Sequence, residues 1–477
     1  MADTPLLPLD KLDPVQSWQP WQPDDKQPWN LKWAGHLYRR AAFGAPLDKL
    51  REAVQRGLES TLNGLLKCDL DDPVYKGFEA GIINAVGEKH TRQNKPTELR
   101  GWWLYCIYYS PQPLREKMTL FWHNHFATSI VKVQSVPMMF EQNKLIRRHA
   151  LGKFGPFLQE MSKDPAMLVW LDSNSNVKGK PNENYARELM ELFSLGVGNY
   201  SEKDIQEAAR AFTGWHTNGE RFEFVADQHD DGEKTVLGKT GNFNGDDIVR
   251  ICLEQKVCPY FLTRKLYRFF ISEAAVPPDS FLEPLAEQFR KSDYDIAGLV
   301  GTMLRSRHFF SAYAYRQRIK SPVEFVMGAV NEVGQGLVTP RALIGKVDDL
   351  GQPLFAPPNV KGWEDGRAWL NTAVVLMRHN FCQLLTVNSG QLNLGDPRTG
   401  VGPAVDPAAL IRRANLTDPE QILSLIIDVL LQGDLHEAAR AKLLAFLKEG
   451  NPTGNALDQR VRETFHAIMT MPEYQLA

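Results

Sequence analysis

Apolar residues recur at spacings of three and four over most of this chain, and that period limits its fold more than any other feature. Between Pro46 and Leu66 they fall at Leu47, Leu50, Val54, Leu58, Leu62 and Leu65, which is the stripe of an amphipathic helix. The same rhythm predicts helices over 34–43 (stopped by Gly44), 97–110 (ended by Pro111), 114–128, 134–151, 153–163, 182–195 and 201–213. Ser201 three residues before Asp204 is close to a capping box. The rhythm breaks at about 216–246, where Arg221 to Val225 and Lys234 to Leu237 read as short strands around Asp230-Asp231-Gly232. Asp246 is placed to cap the next helix. The expected fold is mainly α, a large irregular helical bundle with one small β-hairpin insertion.

Four regions are expected. Residues 1–30 form an extended arm pinned by Trp18, Trp21 and Trp29, and residues 31–390 the main helical domain. Residues 391–415, rich in Gly, Pro and Asn, read as a linker or long loop, and 416–477 as C-terminal helices packed on the main domain. No repeat of fixed period points to a solenoid.

Charge narrows the function classes. A net charge of −2 over 477 residues, without a long run of like charge, gives no general attraction to nucleic acid. No apolar run reaches the roughly 18–20 residues needed to span a bilayer. Residues 1–30 lack the basic and apolar regions of a signal peptide, so the chain is expected to be cytoplasmic, or exported if a leader has been removed. The five cysteines form no CxxC pair and are expected to be reduced thiols; Cys252 and Cys258 are the pair that export would allow to bridge.

Polar chemistry concentrates between Trp122 and Asp247. In the run Phe121-Trp122-His123-Asn124-His125-Phe126, positions two apart on a helix point about 200° apart. His125 therefore shares a face with Leu114, Met118 and Phe121, and His123 with Glu116, Thr119 and Leu120. Each histidine is either a satisfied core residue or a metal ligand or base. Glu183, Arg187 and Glu191 repeat every four residues, which suits an ion-pair ladder. Glu188 lies at the margin of the Tyr185, Leu189 and Leu192 stripe, where a carboxylate needs a partner. Glu207 and Arg210 suit a structural Arg–Glu network. His229, Asp230, Asp231 and Lys234 crowd one turn, suited to a hard cation or a hydroxylated substrate, or to ordinary Asp-Gly turn chemistry. HExxH, GxSxG and GxGxxG are absent.

Taken together, His36 to Gly44, Trp122 to Phe126, Asn182 to Gly196, Ser201 to Trp215, His229 to Gly245, Pro357 to Trp363 and the Met471 to Ala477 ending resemble a bacterial family of proteins of unknown function, DUF1800. The resemblance covers nearly the whole chain. It implies a predominantly helical fold, frequent export by a leader, and genomic neighbours resembling the alkaline phosphatase and sulfatase superfamily. It carries over no catalytic residue.

Two functions are expected from these residues. One is a hydrolase acting on a polar substrate such as a glycan, with Glu188, Glu191 and Asp230 as catalytic carboxylates. In it Trp122, Arg187, Arg210, Trp215 and Lys234 bind substrate, and His123, His125 and His229 hold a divalent metal ion. The other is a non-catalytic helical scaffold or export partner of a phosphatase/sulfatase-like protein. Both the histidines and the acidic turn are expected to meet in one hollow if the first holds.

Overall fold

The computed structural model describes residues 6–92, 94–334, 339–388, 394 and 405–477. Helices dominate, and among the described residues the strands form two two-stranded antiparallel hairpins. No helix is long and apolar enough to cross a membrane among the described residues.

The elements around the site follow the chain. Helix α1 spans Leu31–Ala41, α2 Pro96–Tyr109, α3 Pro113–His125 and α4 Val136–His149. Next comes α5, Asn184–Glu188, which continues without a break as a π-helix over Leu189–Ser194. Helix α6, Glu202–Ala211, starts on the expected capping box, with Ser201 and Asp204 each bonded to the other's backbone N–H. Then follow β1 Trp215–Asn218, β2 Arg221–Phe224, β3 Lys234–Val236, β4 Lys239–Gly241, α7 Gly245–Leu253 and α8 Val257–Phe270. Helices α9 Pro322–Val333, α10 Thr372–Thr386, α11 Pro419–Leu431 and α12 Gly454–Met469 complete the set.

Helix α3 is the seam of the molecule. Its Leu114, Met118, Phe121 and Trp122 belong to one apolar cluster, shared with the N-terminal arm, α7 and α8. Its Leu120 belongs to a second cluster, with Trp103 of α2, Val326 of α9 and residues of α11 and α12. A helix packed on two sides buries nearly every side chain it carries, which is why Arg115, Glu116, Lys117 and both histidines are buried here.

Several boundaries differ from the sequence expectation. The two strands expected to pair across Asp230-Asp231-Gly232 do not; β2 pairs with β1, and β3 with β4. The reason is local. Leu237 and Gly238 both take positive φ, the two-residue turn that closes a tight hairpin, so Lys234–Val236 folds back on its immediate neighbour. Asn244, not Asp246, caps α7, its side chain accepting from the N–H groups of Asp246 and Asp247. Between the helices expected over 153–163 and 182–195 lies a further short helix, Pro165–Trp170, capped by Asp164. The arm is partly helical over Pro14–Trp18. It is fixed by Trp18 Nε1 donating to the Phe281 carbonyl at 2.9 Å and by Trp21 stacked on Phe310. Of the expected linker, 391–393 and 395–404 lie outside the described residues, and Pro407–Arg413 is helical. Cys252 and Cys258 are free, buried thiols.

Candidate functional site

The triplet His123-Asn124-His125 closes α3, and its three side chains engage three different parts of the protein. His123 enters an aromatic cage of Trp103, Phe355 and Trp363, with ring centroids 5.0–5.6 Å away. Neither of its ring nitrogens has a hydrogen-bond partner among the described residues. Burial pushes its pKa down to about 3, so it is a neutral ring at ordinary pH.

Asn124 anchors the loop that follows Pro357. Its Oδ1 accepts from the Trp363 backbone N–H at 2.7 Å. The loop comes this close because Gly362 sits beneath it with φ +88°, where a Cβ would run into the Asn124 side chain and carbonyl.

His125 faces the other core. Its Nε2–H donates to the Phe193 carbonyl at 3.1 Å, leaving the Nδ1 lone pair to accept from Lys265 Nζ at 3.1 Å. Lys265 Nζ also donates to the Leu192 carbonyl at 3.0 Å. Both carbonyls belong to the last turn of the π-helix, where helical acceptors lack partners of their own and carry partial negative charge. The turn ends in Gly196 at φ +85°, whose N–H bonds to the Met190 carbonyl at 3.0 Å. Burial, then the Lys265 charge, holds the His125 pKa well below 6.5. Burial also lowers Lys265 to about 8, partly offset by the Asp365 carboxylate. Lys265 has no ion-pair partner among the described residues.

Lys265 and His125 line a hollow of about 300 Å³, together with Phe121, Phe269, Trp363, Trp369, Arg268, Glu273, Arg318, Lys361, Glu364 and Asp365. Two ion pairs shape its wall. Arg268 grips Asp365 through Nε and Nη2 at 2.6 and 2.7 Å, and Arg318 reaches Glu273 at 3.2 Å. Arg318 also reaches Glu324 at 3.2 Å, and Glu324 pairs with the buried Lys117. Cation and aromatic faces surround a lysine able to change its charge near neutral pH.

Of the candidates from the sequence, His125 alone lines this hollow. Glu188 is half-buried, its pKa raised by burial and then by Glu191, with Arg187 and then Lys361 opposing the rise. The ladder of Glu183, Arg187 and Glu191 stops at Arg187, which pairs with Glu183 at 2.9 Å and Glu202 at 2.8 Å. Glu191 instead accepts from Tyr200 Oη at 2.9 Å. The wider i→i+5 turn that begins at Leu189 takes Glu191 off the face that an α-helix would give it.

The acidic turn belongs elsewhere. Arg210 binds Asp230 through two nitrogens at 2.8 and 3.2 Å, Glu207 at 2.8 Å and the Glu233 carbonyl at 3.2 Å. That contact holds the Asp230 pKa down at about 2. Lys234 is buried and donates to the carbonyls of Asp230 and Gly232. His229 Nδ1–H donates to the Thr213 carbonyl at 2.9 Å. Asp230 and Lys234 are engaged within the turn or by α6, His229 by Thr213 just beyond α6 and Asp231 by Lys178 at 3.6 Å, and the turn does not line the hollow that holds His125. Trp122 is buried, with Nε1 donating to the Ala150 carbonyl, and Trp215 packs on Phe212 and Phe222. Among the described residues no three His, Cys, Asp or Glu side chains are grouped to hold a metal ion.

Lys265, Arg268, Glu273, Arg318, Lys361 and Asp365 were not expected from the sequence. A signal for Lys265 exists: it lies four residues from both Phe261 and Phe269, a cation within an apolar stripe.

A family model described as "Protein of unknown function (DUF1800)" matches residues 36–476. No curated protein and no solved structure matches the chain.

Proposed function

Since the chain belongs to the DUF1800 family, whose description states no activity, we propose from the geometry of the hollow that it is a hydrolase for a small anionic substrate, with Lys265 as proton-transfer residue. The observation that carries this is a lysine lining the hollow with no carboxylate partner among the described residues, held by a helix-end carbonyl and an imidazole of fixed tautomer. An ammonium has three donors. Two are taken by Leu192 and His125, which leaves one for a group in the hollow. A general base works best when its pKa is near the working pH, and Lys265 at about 8 meets that condition. Its neutral amine takes a proton from water as the water attacks, and the ammonium returns a proton to the leaving oxygen. His125 is a positioning residue. Lys361, which has no ion pair among the described residues, offsets the substrate's charge, and Trp363 and Trp369 offer an aromatic face, as an acidic glycan or an aryl ester would use.

The test is turnover of a panel of nitrophenyl esters, nitrophenyl phosphates and acidic nitrophenyl glycosides. Activity is expected to rise with pH to a midpoint near 8, and Lys265→Met to lower kcat by about 10²–10⁴-fold. Full turnover in that variant would sink the assignment.

A second reading is favoured by three consecutive exposed apolar side chains on α10, Val375, Leu376 and Met377. Leu376, the most exposed of the three and flanked on either side by Val375 and Met377, suits a docking contact with a partner protein of the phosphatase/sulfatase-like class that the resemblance implies. Leu376→Asp should then abolish co-migration with that protein in size exclusion. Wild-type protein that does not co-migrate, or a variant that still does, would remove this alternative.

A further inference from the structure

The hollow holding Lys265 has a neighbour. A second hollow of about 590 Å³ adjoins it, and Arg268, Glu273, Arg318 and Asp365 line both. The second adds Arg316 and Arg367, with Ile319 and Leu476 as apolar lining. Arg316 is partly engaged by Asp434, at 3.4 Å to the carboxylate and 2.9 Å to the carbonyl. Arg367 is exposed and has no ion pair among the described residues.

The charge balance of the joined hollows is one-sided. Six cations, Lys265, Arg268, Arg316, Arg318, Lys361 and Arg367, line them with three carboxylates, Glu273, Glu364 and Asp365, while Asp434 and Glu324 reach Arg316 and Arg318 from outside the lining; Lys265, Lys361 and Arg367 are the cations left without an ion pair among the described residues. The chain as a whole carries −2, so positive charge is gathered here against the overall sign. Concave walls of one sign focus the field and raise the local concentration of anions. Guanidinium groups match carboxylate and phosphate oxygens in pairs. The unpaired cations lie at the two ends, Lys265 and Lys361 in one hollow and Arg367 in the other. The shared wall between them is already neutralised by its own ion pairs.

We infer that the two hollows together bind an extended polyanion, a linear oligomer with a carboxylate or phosphate on successive units. One anionic group sits at Lys265 and Lys361, the next at Arg316 and Arg367, and the link between them crosses the Arg268–Asp365 pair. This rests on the function proposed for the Lys265 hollow and specifies its substrate class. Two linked sites gain affinity over one because the second contact forms at high effective concentration.

Calorimetry of the full chain with two ligand series tests this: inorganic phosphate against tripolyphosphate, and galacturonate against trigalacturonate. In at least one series the trimer is expected to bind at least about 10-fold more tightly than the monomer, and the series that shows it identifies the anion. Arg367→Glu should erase that gain and leave monomer affinity within about 2-fold, while Lys265→Met weakens both ligands. Equal binding of monomer and trimer in both series, or a gain that survives Arg367→Glu, would overturn the inference. Trimer binding lost in Arg367→Glu but unchanged in Lys265→Met would overturn the role proposed for Lys265 while upholding the Arg367 subsite.

Discussion

Acidification from pH 7.5 to pH 5 is expected to strip this protein of about 5 kcal/mol of stability, a large part of what holds a domain together. The cause is four buried imidazoles. Burial lowers the pKa of His123 to about 3 and of His308 to about 4, and holds His36 and His125 well below 6.5. In the unfolded chain each titrates near 6.5. A base whose pKa is depressed by folding leaves the unfolded state binding more protons, so stability is complete above about 6.5 and falls as pH drops below it. The fall continues until the folded values near 3–4 are reached. At pH 5 His123 and His308 have each cost about 2 kcal/mol, and His36 and His125 add to the loss in the same direction. Asp164 works in the opposite sense: burial raises it to about 7, so it gains a proton in the folded state first and offsets about 2–3 kcal/mol. Calorimetric melting at pH 7.5 and pH 5 measures the difference. A melting temperature unchanged between them would show that the imidazoles are not buried neutral, and the His123 cage would then be wrong.

That cage marks the limit of what the residues disclose without coordinates. The helical period alone separates His123 from His125, since residues two apart on a helix cannot share a face. The same period puts Glu116 on the face of His123, and in the structure Glu116 is buried against Arg147 at 2.7 Å. What period cannot supply is the partner across space. Trp363 and Phe355 lie more than two hundred residues from His123 in a segment without regular rhythm, and the Asn124 contact with the Trp363 backbone and the Ile130 N–H bond to the Phe355 carbonyl bring them in. The ladder ending in Glu191 failed for a different reason. It assumes an α-helix to its end, and the π turn from Leu189 breaks that assumption. The same turn supplies the carbonyls that hold His125 and Lys265. One irregularity thus removes an expected acid from its face and creates the contacts of the hollow. The acidic turn shows the reverse: His229, Asp230 and Lys234 look like unspent chemistry in one dimension, and in three Arg210 of α6 engages Asp230, the Thr213 carbonyl engages His229 and the turn's own carbonyls engage Lys234.

Glu324→Gln is expected to destabilise the protein by about 3–5 kcal/mol, the usual result of removing one partner from a buried ionic cluster. Glu324 is buried at the start of α9, where it closes the capping box with Ser321. It faces two cations, Lys117 of α3 and Arg318, both buried. Their charges hold its carboxyl well below the usual range against the opposing effect of burial. Lys117 donates to the carbonyls of Arg39 and Ala42 at 3.1 and 2.9 Å, and Arg318 has Glu273 as well. An amide in place of Glu324 keeps the shape but leaves Lys117 without its carboxylate in a site closed to water. Lys117 can relieve this by losing its proton, because burial has already brought it to about 8. The variant should therefore be least impaired at high pH, and the loss should grow as pH falls through about 8. Removing the cation too, in Lys117→Met with Glu324→Gln, should recover part of the loss, since the remaining groups no longer include an unpaired ammonium. Urea unfolding of the three proteins at pH 7 and pH 9 gives these differences. A single variant that loses less than about 1 kcal/mol at pH 7 would mean that the cluster is wetter than its burial indicates. Arg318 would then be free to leave Glu273, and the ion-paired wall between the two hollows would lose its fixed geometry.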